Sequence, residues 1–176
     1  MAIGGNILLI TENEDTVQQV QEKLVLLRKT DAVSIGAYAN IEQAMSLPDF
    51  NVVLLDEYPQ NEDYTLNALK YIKNSQNSPE VILLMNEPTQ SLVLKSYDLG
   101  LFDYASINCE AYELMIRVIN AQKNYQMKTN LKIRNIMLEN SEAFSEYKSF
   151  FEYTVLKNSF SDLVKNVIIK IHYSLF

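Results

Sequence analysis

The chain has 176 residues, 48% of them hydrophobic and 21% charged, which supplies the core of one ordinary domain with an appendage and argues against disorder. A formal net charge of −7 disfavours nonspecific nucleic-acid binding, and the single cysteine, Cys109, excludes an internal disulfide or a cysteine-based metal cluster. The single histidine, His172, leaves nothing for a histidine-rich site, and no run nears the roughly 18 apolar residues of a membrane span, so we expect a cytoplasmic protein without a membrane partner.

The net charge hides an asymmetry. Residues 1–120 carry 7 basic and 17 acidic side chains, whereas residues 121–176 carry 8 basic and 5 acidic. Segments of opposite sign attract one another or face different partners.

In chain order, Asn6 to Ile10 (NILLI) reads as a buried first strand rather than a signal peptide, because no basic region precedes it and acids follow at once. Val17, Val20, Leu24 and Leu27 then recur at helical spacing, with acids in the first turn and Arg28-Lys29 in the last, as the helix dipole favours. Ala32 to Tyr38 is rich in strand formers, and Asn40 is placed to cap a short helix holding Ile41, Ala44, Met45 and Leu47. Val52 to Leu55 is a continuous apolar run stopped by a carboxylate, Asp56. Such a run predicts a strand buried on both faces, with Asp56 at its carboxyl end, where open α/β sheets bind ligands.

Leu66, Leu69 and Ile72 mark a further helix, and Pro79 precedes a fourth strand, Val81 to Met85. A helix over Thr89–Leu99 stops at Gly100, which is suited to a left-handed cap. Phe102 to Ser106 reads as a fifth strand, and Ala111 opens a helix with Leu114, Val118 and Ala121. The alternation predicts a parallel sheet between two helical layers. The four glycines (Gly4, Gly5, Gly36 and Gly100) leave no glycine-rich loop after the first strand, so a P-loop or dinucleotide fingerprint is excluded.

With the elements in order, residues 5 to 124 resemble the receiver domain of two-component response regulators. The resemblance rests on the element order, on VVLLD ending at Asp56 with Pro59 after it, and on Gly100-Leu101-Phe102-Asp103-Tyr104. It implies a flavodoxin-like (βα)5 doubly wound parallel sheet, with Asp56 at the phosphoacceptor position. Glu12 and Asp56, with the Tyr58 backbone, would be the metal ligands, and Mg²⁺, held weakly, the only cofactor. Met85, Tyr104 and Ile107 fall on the switch positions.

The chemistry departs from the family pattern. Thr11-Glu12 stands where the family has two acids, Met85 replaces a Ser/Thr, Ile107 a Lys, and Asn108 a Pro. Phosphoryl transfer depends on cations that neutralise the equatorial oxygens, and each missing donor costs a factor of about 10²–10³. Met85 and Ile107 would place apolar walls beside Asp56 and raise its pKa by desolvation. The expected function is therefore a non-enzymatic pseudo-receiver that signals through protein contacts. The alternatives are a receiver phosphorylated on Asp56 with Mg²⁺, and a small-molecule binding protein with its ligand between Asp56, Met85 and Ile107.

Residues 125–176 are expected to form an all-helical extension. Tyr125, Leu131, Met137 and Leu138 prolong the stripe of the fifth helix as far as Glu139-Asn140-Ser141. Phe144, Tyr147, Phe151 and Val155 mark a second helix, and Ser161 caps a third with Leu163, Val164, Val167, Ile168 and Ile171. Lys123, Lys128, Lys132 and Arg134 read as a solvated helix face rather than a nucleic-acid contact. A homodimer through the fourth helix, fifth strand, fifth helix and tail is expected, with a histidine kinase or other signalling protein as partner.

Overall fold

The computed structural model describes residues 6–25, 33–46, 50–59 and 61–140. Five strands form one parallel sheet: β1 (Asn6–Ile10), β2 (Val33–Gly36), β3 (Phe50–Asp56), β4 (Glu80–Met85) and β5 (Asp103–Ser106), in the order β2-β1-β3-β4-β5. This is the flavodoxin-like order, in which the strand order reverses between β1 and β3.

The helices are α1 (Glu14–Leu24), α2 (Ile41–Ser46), α3 (Glu62–Lys73), α4 (Gln90–Asp98) and α5, helical from residue 111 to the end of the described residues at 140. Alternation along the strands builds two cores. Val53, Leu55, Val81, Leu83 and Met85 pack with Ala68, Leu69 and Ile72 of α3 and Leu92 of α4. Val52, Leu54, Ile82 and Leu84 pack on the other face with Val20 and Leu24 of α1 and Leu114, Val118 and Ala121 of α5. The central strands are apolar at consecutive positions because both of their faces are covered.

Local signals set the helix ends. The Asn13 side chain accepts from the Asp15 N–H to start α1, and Asn61 accepts from the Tyr64 N–H to start α3. Gly100 has φ +88°, the left-handed geometry expected of it after α4. Asn40 differs from expectation. It lies inside a 3₁₀ turn, Tyr38–Asn40, that leads directly into α2, so it does not cap the helix from outside. Strand β4 begins one residue earlier than the apolar run, because Glu80 is paired in register with Val52.

The chain divides into two compact units, Met1–Thr129 and Asn130–Phe176. Leu27, Arg28-Lys29, Leu47 and the helices expected around Phe144–Val155 and after Ser161 lie outside the described residues. Among the described residues no helix is long and apolar enough to cross a membrane.

Candidate functional site

The carboxyl ends of β1 and β3 bring together the residues that follow each strand. The Thr11 hydroxyl, just past β1, donates to Asp56 Oδ2 at 2.6 Å and accepts from the Asn13 N–H at 2.9 Å. The same threonine is tied to β2 through its N–H, which donates to the Gly36 carbonyl at 3.1 Å. Thr16, buried in the first turn of α1, turns a second hydroxyl toward the Asp56 carboxylate. Burial pushes the Asp56 carboxyl above the usual carboxylate range, against the opposing effect of these hydroxyls and the Glu57 N–H.

After Asp56 the chain turns under firm backbone control. The Glu57 N–H donates to the Leu84 carbonyl at 2.8 Å, and the Tyr58 N–H donates to the hydroxyl of the fully buried Thr65 at 2.9 Å. The Tyr38 hydroxyl donates to the Asp56 carbonyl. Its ring packs edge-on to Tyr58, with centroids 5.2 Å apart, and stacks on Tyr64 at 5.4 Å. Tyr58 and Tyr64 close the group at 4.7 Å. Burial drives the Tyr38 phenol pKa upward, so it remains a hydrogen-bond donor at neutral pH.

A cleft of about 470 Å³ opens at this point, at the reversal between β1 and β3. Four carboxylates line it (Glu12, Glu14, Asp56 and Glu57), together with the rings of Tyr38 and Tyr58. Among the described residues that line it there is no lysine or arginine. Glu57 is also pushed up, by burial first and then by the neighbouring Glu62 and Asp56 charges.

Glu12 and Asp56 therefore share one cleft, with Tyr58 at its edge. Among the described residues no group of three His, Cys, Asp or Glu side chains is disposed to hold a metal. A Mg²⁺ ion there would meet the Glu12 and Asp56 carboxylates and would keep most of its waters.

Met85 and Ile107 lie elsewhere. Met85 is fully buried on the α3–α4 side of the sheet, whereas Ile107 packs on the α1–α5 side, and neither lines the cleft. The register accounts for Met85: Asp56 pairs with Leu84, so Met85, the next residue along, points to the opposite face. Tyr104 is half-buried, its ring 6.4 Å from that of Tyr97 on α4. Cys109 is half-buried against the α1–α5 core.

The hydroxyls of Thr11 and Thr16 and the cluster of three tyrosines were not foreseen from sequence. Thr11 had a signal, since it stands where the family has an acid. The tyrosines had none, being spread over three separate elements.

No family model and no curated protein matches the sequence. Solved structures do. The signal receiver domain of an HD domain-containing protein from Pseudomonas fluorescens Pf-5 is similar at 22% identity and TM-score 0.60, over 70% of this chain and 98% of that one. The fold is that of a receiver domain.

A response regulator from Thermotoga maritima shares it at 16% identity and TM-score 0.60, over 68% of this chain and 98% of its own. A receiver domain of a two-component histidine kinase from Clostridium thermocellum shares it at 15% and 0.60, with the same coverage of 68% and 98%. The receiver fold places Asp56 at the carboxyl end of its central strand, as the sequence led us to expect.

Proposed function

We propose that the chain is a signalling module of the receiver type that works without phosphorylation, through protein contacts made by its α4–β5–α5 face and the segment that follows. One observation carries this reading: the Asp56 carboxylate faces hydroxyls and other carboxylates, with no cationic side chain among the described residues lining its cleft. An aspartyl phosphate there would add about two negative charges beside Glu12, Glu14 and Glu57. Only a metal held by Glu12 and Asp56 would offset them. The module is not an enzyme in this reading.

The face in question carries Leu94 and Tyr97 on α4 and Tyr112 and Ile116 on α5, all exposed. Arg117 braces it, its Nε donating to the Tyr104 carbonyl at 3.0 Å and lying 3.3 Å from Asp103 Oδ2. A second copy of the chain is the proposed occupant. Sedimentation should give a dimer at micromolar concentration, and a monomer would count against this surface.

The deciding experiment is intact mass after incubation with Mg²⁺ and acetyl phosphate, for wild type and Asp56→Asn. We expect no phosphoryl adduct on either folded protein. An adduct on wild type alone would establish the alternative, a phosphorylated receiver with a cognate kinase as partner. The cleft favours one further reading, a small-molecule site, whose ligand would be cationic to match four carboxylates. Its ligand would lie between Glu12, Asp56 and Tyr58, in a cleft that Met85 and Ile107 do not line.

A further inference from the structure

The opposite end of the sheet holds a second charged group, which the proposed function does not use. Glu80 is the first residue of β4 and is only 1% exposed. Its Oε1 accepts from Asn124 Nδ2 at 2.9 Å and meets Lys128 Nζ at 2.5 Å, and its Oε2 lies 3.6 Å from Lys73 Nζ. Lys73, in the last turn of α3, also donates to the Pro79 carbonyl at 3.0 Å. Its stem passes Gly100, where an added Cβ would stand 3.4 Å from Lys73 Cε.

Position along α5 gives this cluster its meaning. The last buried residues of that helix are Ala121 and Gln122. Asn124 and Lys128 come next, one turn apart on one side of the helix, and both end on Glu80. Beyond them, residues 130–140 are exposed throughout. The apolar anchors of α5 thus stop just before the polar ones begin.

A buried ion pair contributes little net stability compared with well-packed apolar residues, and its best-attested use is to fix register. Apolar contacts allow a helix to roll, whereas two hydrogen-bonding groups converging on one buried carboxylate do not. We propose that Glu80 is a latch that fixes the rotational phase of α5 over residues 122–129, after its apolar anchors have ended. Lys73 is the counter-charge on the second carboxylate oxygen, 3.6 Å away at the base of the sheet. Glu80 is a positioning residue, and the proposal holds whether or not Asp56 accepts a phosphoryl group.

Amide hydrogen exchange on the full chain tests it. Glu80→Gln keeps the shape of the side chain but weakens both contacts to α5. We expect exchange over residues 122–129 to rise about tenfold, with peptides from β1 and β3 unchanged. The paired replacement Lys73→Met with Glu80→Met separates latch from scaffold, because it restores apolar packing without a carboxylate. It should recover the denaturation midpoint yet leave residues 122–129 as unprotected as in Glu80→Gln. Wild-type protection in that pair would overturn the proposal, since packing alone would then hold the helix. Should the pair fail to fold, Lys128→Met combined with Asn124→Leu removes both α5 contacts without touching the sheet. Faster exchange confined to residues 122–129 would support the latch, and unchanged exchange would refute it.

Discussion

The two ends of the sheet treat their carboxylates in opposite ways. At the amino end Glu80 is buried at 1% exposure and meets two lysines and an amide. At the carboxyl end Asp56 is half-buried among Glu12, Glu14 and Glu57, with neutral donors (the Thr11 and Thr16 hydroxyls and the Glu57 N–H) and no lysine or arginine among the described residues lining its cleft. A charge that is fully paired inside the protein serves the fold. A charge left among like charges at the mouth of a cleft is a cost to the fold, and it is retained where something outside the chain meets it. The contrast separates a structural acid from a candidate functional one within a single strand layer.

The largest test of this contrast is Glu80→Ala. Removing the carboxylate leaves Lys73, whose pKa burial already lowers, without its partner. Breaking a buried pair in this way costs about 3–5 kcal/mol, so the urea midpoint should fall sharply. A change near zero would mean that the Glu80 end is as loosely held as the Asp56 end.

Tyr38→Phe comes next. The hydroxyl is buried and donates to the Asp56 carbonyl, so its loss leaves that acceptor short of a partner at a cost of about 0.5–1.5 kcal/mol. The ring contacts with Tyr58 and Tyr64 survive, so the effect should stay below that of Glu80→Ala. A larger loss would show that the cleft end is held as firmly as the base.

Much of the fold was legible because apolar runs and turn residues are local signals. VVLLD announced β3 and the position of Asp56, and Gly100 announced the end of α4. Glu80 was not legible as part of a strand, since a glutamate ahead of an apolar run reads as its boundary. Its partners Asn124 and Lys128 stand more than forty residues away. The direction of the Met85 side chain was not legible for a related reason. Met85 follows Leu84 by one residue, and in a strand one residue reverses the face. Sequence adjacency to the end of β4 therefore gave the right height in the sheet, but Met85 turns its side chain into the core it shares with Tyr38 and not toward Asp56.

The smallest effect has the most informative sign. Asp56 in the folded chain has a pKa above its ordinary 3.8, with burial as the leading cause. Between those two values the folded state binds more protons than the unfolded state, so stability falls as pH rises through that window. Above it the full cost of the buried charge remains. Asp56→Asn removes the cost while keeping an oxygen that accepts from Thr11. It should therefore raise the melting temperature at pH 7. The gain should shrink as pH is lowered through the window and vanish below it, where wild-type Asp56 is itself neutral. Thermal melts of both proteins across acid and neutral pH measure this directly. A variant less stable than wild type at pH 7 would mean that the hydroxyls and the Glu57 N–H hold the Asp56 charge favourably, and the distinction between the two ends of the sheet would be lost. Added Mg²⁺ sharpens the same experiment, since a cation bound by Glu12 and Asp56 should stabilise wild type and leave Asp56→Asn unmoved.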